Sequence, residues 1–146
     1  MTSQTPRPLG SKPTAATTAQ PRVLIVDDDP AVRLVLRRWF VRRGWHTEEA
    51  PDGSRAQTFL TGDSALFDMV LCDVRMPELS GPEFFAWLSV AKPNAVSRLV
   101  FTTGDASEDS VAAFLRSSRC TVLEKPFDLD TLWSVAERLR REQVAA

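Results

Sequence analysis

Uninterrupted apolar runs alternate along this chain with stretches whose apolar positions recur every three or four residues. Residues 23–26 read Val-Leu-Ile-Val, the pattern of a strand covered on both faces. Asp29 then offers a helix N-cap, Pro30 fits the first helical position, and Val32, Val35, Leu36, Trp39 and Phe40 follow at helical spacing until Gly44. A weaker strand is predicted over 45–50. A short helix follows Asp52-Gly53, with Ala56, Phe59 and Leu60 on one face, and ends at Gly62. The third strand is predicted over 66–73, and Gly81-Pro82 opens a helix carrying Phe84, Phe85 and Leu88. A fourth strand covers 98–102, and Ser107 starts a helix with Val111, Phe114 and Leu115. The fifth strand covers 120–123, and Asp128 caps a last helix through Leu129, Leu132, Trp133, Ala136 and Leu139.

Strict strand–helix alternation predicts an α/β fold, a five-stranded parallel sheet that is doubly wound by five helices. Such folds bind ligands outside the carboxyl ends of the strands, where strand order reverses. Asp27, Asp28, Asp73, Thr102, Thr103 and Lys125 all fall at predicted carboxyl ends. Three carboxylates gathered there would repel. At about 4 Å and an effective dielectric near 20, each close pair costs roughly 4 kcal/mol. A chain that builds such a cluster is expected to hold a cation in it, and hard oxygen ligands at a strand end suit Mg²⁺.

Composition narrows the reading. The 146 residues suit one domain, and 43% hydrophobic with 25% charged content predicts a soluble globular core. A net charge of −1 points to neither nucleic acid nor an anionic membrane. No apolar run approaches the roughly 18 residues that span a bilayer, and residues 1–8 lack a signal core. Cys72 and Cys120 read as two reduced, buried thiols, which suits a cytoplasmic location. Residues 1–21, rich in Pro, Thr, Ser, Ala and Gln, read as a disordered tail. The folded domain is expected over 22–143, with 144–146 as a C-terminal end.

Five segments, in order, carry a resemblance: VLIVDDDP at 23–30, EAPDG at 49–53, LCDVRMPELSG at 71–81, FTTGDA at 101–106 and EKPF at 124–127. Together they resemble the receiver domain of two-component response regulators, as in single-domain chemotaxis regulators. The resemblance implies a flavodoxin-like sheet in the order 2-1-3-4-5. It makes Asp73 the phosphoacceptor, taking a phosphoryl group from a phosphohistidine of a histidine kinase or histidine phosphotransfer protein. An aspartate can do this because it is already ionised at neutral pH and needs orientation and charge neutralisation, not a base. Asp28 would ligate Mg²⁺ directly, Asp27 directly or through a water, alongside Asp73 and the backbone carbonyl of Arg75.

By the same resemblance Lys125, ahead of a cis Pro126, pairs with the acceptor carboxylate and then the phosphoryl group, and Thr103 is the switch hydroxyl, with Thr102 as the register alternative. The readout surface would be the fourth helix, fifth strand and fifth helix, acting on an unknown downstream target, in a monomer or weak dimer. The aromatic residue of many receivers in the fifth strand is here Val122, and the chain has no tyrosine. Arg75 and Asp105 place opposite charges beside the acceptor, so loss of phosphate is expected to be slow. The five arginines at 33, 37, 38, 42 and 43 read as a solvated face. The chain is read as a free-standing regulator, a phosphorelay intermediate or an excised piece of a larger protein, and Met1 with the tail mildly favours the first.

A rival resemblance is to haloacid-dehalogenase-type phosphatases, which would make Asp27 the nucleophile in Asp27-Asp28-Asp29-Pro30. It leaves the segment from Asp73 to Gly81 unexplained. The full acidic, threonine and lysine set also opposes a receiver that only binds partners.

Overall fold

The computed structural model describes residues 19–62, 66–105 and 108–145. The predicted strand segments become parallel strands: β1 Arg22–Val26, β2 His46–Ala50, β3 Met69–Asp73, β4 Leu99–Thr103 and β5 Thr121–Glu124. The helices between and after them are α1 Pro30–Arg42, α2 Gly53–Thr61, α3 Gly81–Ala91, α4 Asp109–Ser118 and α5 Leu129–Ala145. The sheet runs in the order β2-β1-β3-β4-β5 with every pairing parallel. The predicted doubly wound architecture and its strand order are therefore observed.

Alternation along each strand divides the core in two. Leu24, Val26, Val70, Cys72, Leu99 and Phe101 face α2, α3 and α4. Val23, Ile25, Met69, Leu71, Val100 and Leu123 face α1 and α5, where Leu36, Trp39, Phe40, Leu132 and Ala136 cover them. Side chains of period two on one strand thus fill two cores at once. Trp39 meets Phe40 and Trp133 edge-on at 5.0 and 5.8 Å, which joins α1 to α5. Because α1 lies on one face and α3 on the other, the chain leaves β1 and β3 in opposite directions. That divergence opens a crevice at their carboxyl ends.

Helix starts follow the predicted chemistry. Asp29 accepts from the Ala31 N–H at 2.9 Å and Asp52 from the Arg55 N–H at 2.8 Å. Asp128 Oδ1 accepts from the Asp130 N–H at 3.1 Å, at the head of α5. Ser80 and Glu83 form a reciprocal capping box on α3. Gly81 is required there by space: a Cβ would stand 2.8 Å from Val74 Cα.

Boundaries differ where local bonds compete with the sheet. β3 begins at Met69, not 66, because Asp68 Oδ2 turns back to accept the Arg22 N–H at 2.8 Å and Leu66 is exposed. β4 starts at Leu99 because Pro93–Arg98 form a 3₁₀ turn that periodicity did not signal. β5 starts at Thr121 because the Cys120 N–H is taken by Ser118 Oγ at 3.1 Å. The expected helix start at Ser107, and residues 1–18 of the expected tail, lie outside the described residues.

Candidate phosphoacceptor site

β1 ends at Val26, and the Asp27 N–H still bonds the Ala50 carbonyl at 3.1 Å, so Asp27 is held at the rim of the sheet. The residue is only 3% exposed. Oδ1 accepts from the Asp29 N–H at 2.9 Å, and Oδ2 from Lys125 Nζ at 3.0 Å. Asp73 ends the neighbouring strand and is 8% exposed. Its Oδ1 accepts from the Arg75 N–H at 3.2 Å and its Oδ2 from Lys125 Nζ at 3.0 Å. Asp28 is exposed beside them. One carboxylate oxygen from each of Asp27, Asp28 and Asp73 lies within 4.8 Å of the others. Residues 27, 28 and 73, distant in sequence, thus converge as their strand-end positions predicted.

Lys125 reaches the pair from the far edge. Its backbone N–H bonds the Thr103 carbonyl at 2.7 Å, and the Lys125–Pro126 peptide is cis, as the resemblance implied. Burial pulls its ammonium down, but hydrogen bonds to Asp27 and Asp73 outweigh that, so its pKa stands above the ordinary lysine value. Burial pushes the Asp73 carboxyl above the usual range, and Lys125 only partly reverses it. Burial thus makes the Asp73 charge costly at this position. Burial likewise raises the thiol of Cys72, immediately beneath Asp73. Both cysteines are free, and Cys72 is buried while Cys120 is partly exposed.

The two threonines are both buried, and the register pairs Thr102 with Asp73. Thr103 Oγ1 accepts from the Asp105 N–H at 3.2 Å, and Thr102 lines a small cavity with Asp27 and Lys125.

Two side chains at the site were not singled out from the sequence. Arg33, read as part of a solvated face, has its side chain only 16% exposed. Its Nη1 donates to the Asp27 carbonyl at 2.6 Å and its Nε to Glu49 at 3.2 Å, so it clamps the loop that presents Asp27 and Asp28. Its position one turn after the Asp29 cap was the available signal. Glu108, the residue ahead of α4, is the other. The Arg75 guanidinium meets its carboxylate, three residues beyond Asp105.

Fold and rim define an α/β domain with an acid–lysine constellation at the topological switch point. The family model of response regulator receiver domains matches residues 23–137, and the chain belongs to that family. It is 29% identical over 111 residues to sporulation initiation phosphotransferase F of Bacillus subtilis, covering 76% of this chain and 86% of that protein. It is 37% identical over 120 residues to response regulator MprA of Mycolicibacterium vanbaalenii, covering 82% of this chain and 50% of MprA. It spans 17% of the two-component response regulator ORR21 of rice. Among solved structures, the Vibrio cholerae chemotaxis protein CheY4 superposes with a TM-score of 0.72 at 27% identity, covering 83% of this chain and 99% of that one.

The chain is thus a receiver domain of two-component signal transduction. The phosphatase reading is not favoured. The receiver match takes in the segment from Asp73 to Gly81, which the phosphatase reading leaves unexplained. Among the described residues no helix is long and apolar enough to cross a membrane.

Proposed function

We propose that this domain takes a phosphoryl group from a phosphohistidine onto Asp73, in a Mg²⁺-dependent transfer, and signals through α4, β5 and α5. The observation that carries the reading is the meeting of Asp27, Asp28 and Asp73 within 4.8 Å, with Lys125 bridging two of them. In this reading an Asp73 oxygen attacks phosphorus, the bond from phosphorus to the histidine nitrogen breaks, and the imidazole leaves as the neutral base after gaining a proton. Lys125 stays with the Asp73 side of the site and follows the phosphoryl oxygens on its flexible stem. Thr103 supplies a hydroxyl to one of those oxygens.

The donor set fits a hard divalent cation, since it is all oxygen and mostly anionic. Asp28, Asp27, Asp73 and the Arg75 carbonyl would hold Mg²⁺. Bound there, Mg²⁺ supplies charge neutralisation for the transferring phosphoryl group. Arg33 fixes the backbone of the Asp27–Asp28 loop, so these ligands are held in place before the ion arrives.

The phosphodonor is a histidine kinase or a histidine phosphotransfer protein. An apolar groove of about 600 Å³ beside Lys125 supports its docking: Val32, Val35 and Leu36 of α1 line one side, and Pro126, Phe127 and Leu129 the other. The domain is expected to act in the cytoplasm as a monomer or weak dimer, without binding nucleic acid itself. The folded unit is expected to be 22–143, with the last turn of α5 running on to Ala145.

Incubation with acetyl phosphate, followed by intact-mass measurement, tests the reading. A phosphoryl adduct should form with Mg²⁺, fail without it, and disappear in Asp73→Asn. An adduct that survives in Asp73→Asn overturns it.

A further inference from the structure

The Arg75–Glu108 ion pair crosses a cleft of about 530 Å³ whose walls include Asp28, Pro77, Ser80 and Ser110. One end of the pair is anchored at the acceptor, because the Arg75 N–H bonds Asp73 Oδ1 at 3.2 Å. The other end is Glu108, the N-cap residue just ahead of α4. Glu108 makes no side-chain cap bond to its own helix, and its second oxygen accepts from Ser110 Oγ at 3.2 Å. The tether therefore runs from the β3–α3 loop directly to the first turn of an output helix.

Its two side chains are 57% and 41% exposed, so water screens the attraction and the pair is weak. A phosphoryl group on Asp73 brings nearly two negative charges and three acceptor oxygens to a carboxylate already bonded by the backbone N–H of the same arginine. Arginine's planar fork suits such an oxygen cluster better than a single exposed carboxylate. Glu108, once released, sits where a carboxylate is favoured by the N-terminal end of a helix. A second observation gives the tether a purpose. β5 reads Thr-Val-Leu-Glu with a partly buried Val122 and carries no aromatic side chain that could couple the site to the surface.

We propose that the Arg75–Glu108 pair is a phosphate-sensitive tether: Arg75 leaves Glu108 for the phosphoryl oxygens on Asp73, and the freed Glu108 resets the first turn of α4. This rests on the reading of Asp73 as phosphoacceptor. In the exchange no covalent bond changes; one ion pair is replaced by another, and α4 loses its restraint. Arg75 is thereby a residue that contacts the transferred group, and Glu108 a positioning residue acting through it.

The test uses beryllofluoride with Mg²⁺ as the stand-in for the phosphoryl group, read by amide chemical shifts of the full chain. In the wild type, amides at Asp28 and Val74 report occupation of the site, and those from Ser110 to Leu115 report α4. In Glu108→Gln the site amides should respond as in wild type. The α4 amides should already lie displaced toward their activated positions in the free protein, and their further change should fall by roughly half or more. Arg75→Ala should show the same displaced α4 in the free protein, which guards against a local effect of the Gln side chain. Full-sized α4 changes in Glu108→Gln, from an undisplaced starting position, would overturn the tether while leaving the phosphoacceptor reading standing. Silent site amides in the wild type would overturn both.

Discussion

Asp73 is placed by its strand where its charge is costly to bury. Burial raises its carboxyl pKa, and Lys125 returns part of what burial removes. Asp28, exposed on the same rim, adds repulsion, and among the described residues no ion pair offsets it. Replacing Asp28 by Asn should therefore raise stability without Mg²⁺, by about 1 kcal/mol or less given its exposure. With saturating Mg²⁺ the advantage should shrink or reverse, since the wild type gains binding energy. Thermal melts of both proteins with and without the ion read the sign directly. A variant that is less stable without the ion would contradict the repulsion argument. At this scale much was legible from sequence, because an apolar run that stops at an aspartate marks both a strand end and a polar rim. Arg33 and Glu108 were not legible. An arginine among five on one helix reads as solvated, and only the tertiary fold turns one of them onto the Asp27 carbonyl. Glu108 gains its meaning from a partner 33 residues away.

At the scale of elements, the capping box on α3 fixes how the chain leaves the site. Ser80 and Glu83 exchange hydrogen bonds of 2.9 and 3.3 Å, and the Gly81 N–H bonds the Val74 carbonyl at 2.8 Å just past Asp73. Ser80→Ala should cost about 1 kcal/mol in urea unfolding, with the denaturant slope unchanged. The bonds from Ser80 also hold the Glu83 carboxyl below its usual range. A depressed pKa contributes stability that is present above the unfolded value and fades as pH falls through the folded one. The gap between wild type and Glu83→Ala should therefore be open at neutral pH and close as the medium is acidified below about pH 4. A gap constant across that range would count against the box. Element types and order were readable because periods of two and near four separate cleanly over long runs. Ends were less so: at 66–69, 98 and 120 a side-chain bond or a 3₁₀ turn claims residues whose composition suits a strand.

For the whole molecule, the order β2-β1-β3-β4-β5 makes the site. It sets β1 beside β3 so that three carboxylates meet, and β5 at the edge so that Lys125 reaches inward. The same sheet carries α4 and α5 on opposite faces, so a change at the rim can reach a surface without passing through either core. Transfer from a phosphorylated histidine phosphotransfer protein in the presence of Mg²⁺, followed by peptide mapping of the labelled residue, tests this account most directly. Label confined to Asp73, and dependent on the ion, is the result it predicts; label on Asp27, or on neither aspartate, would contradict it.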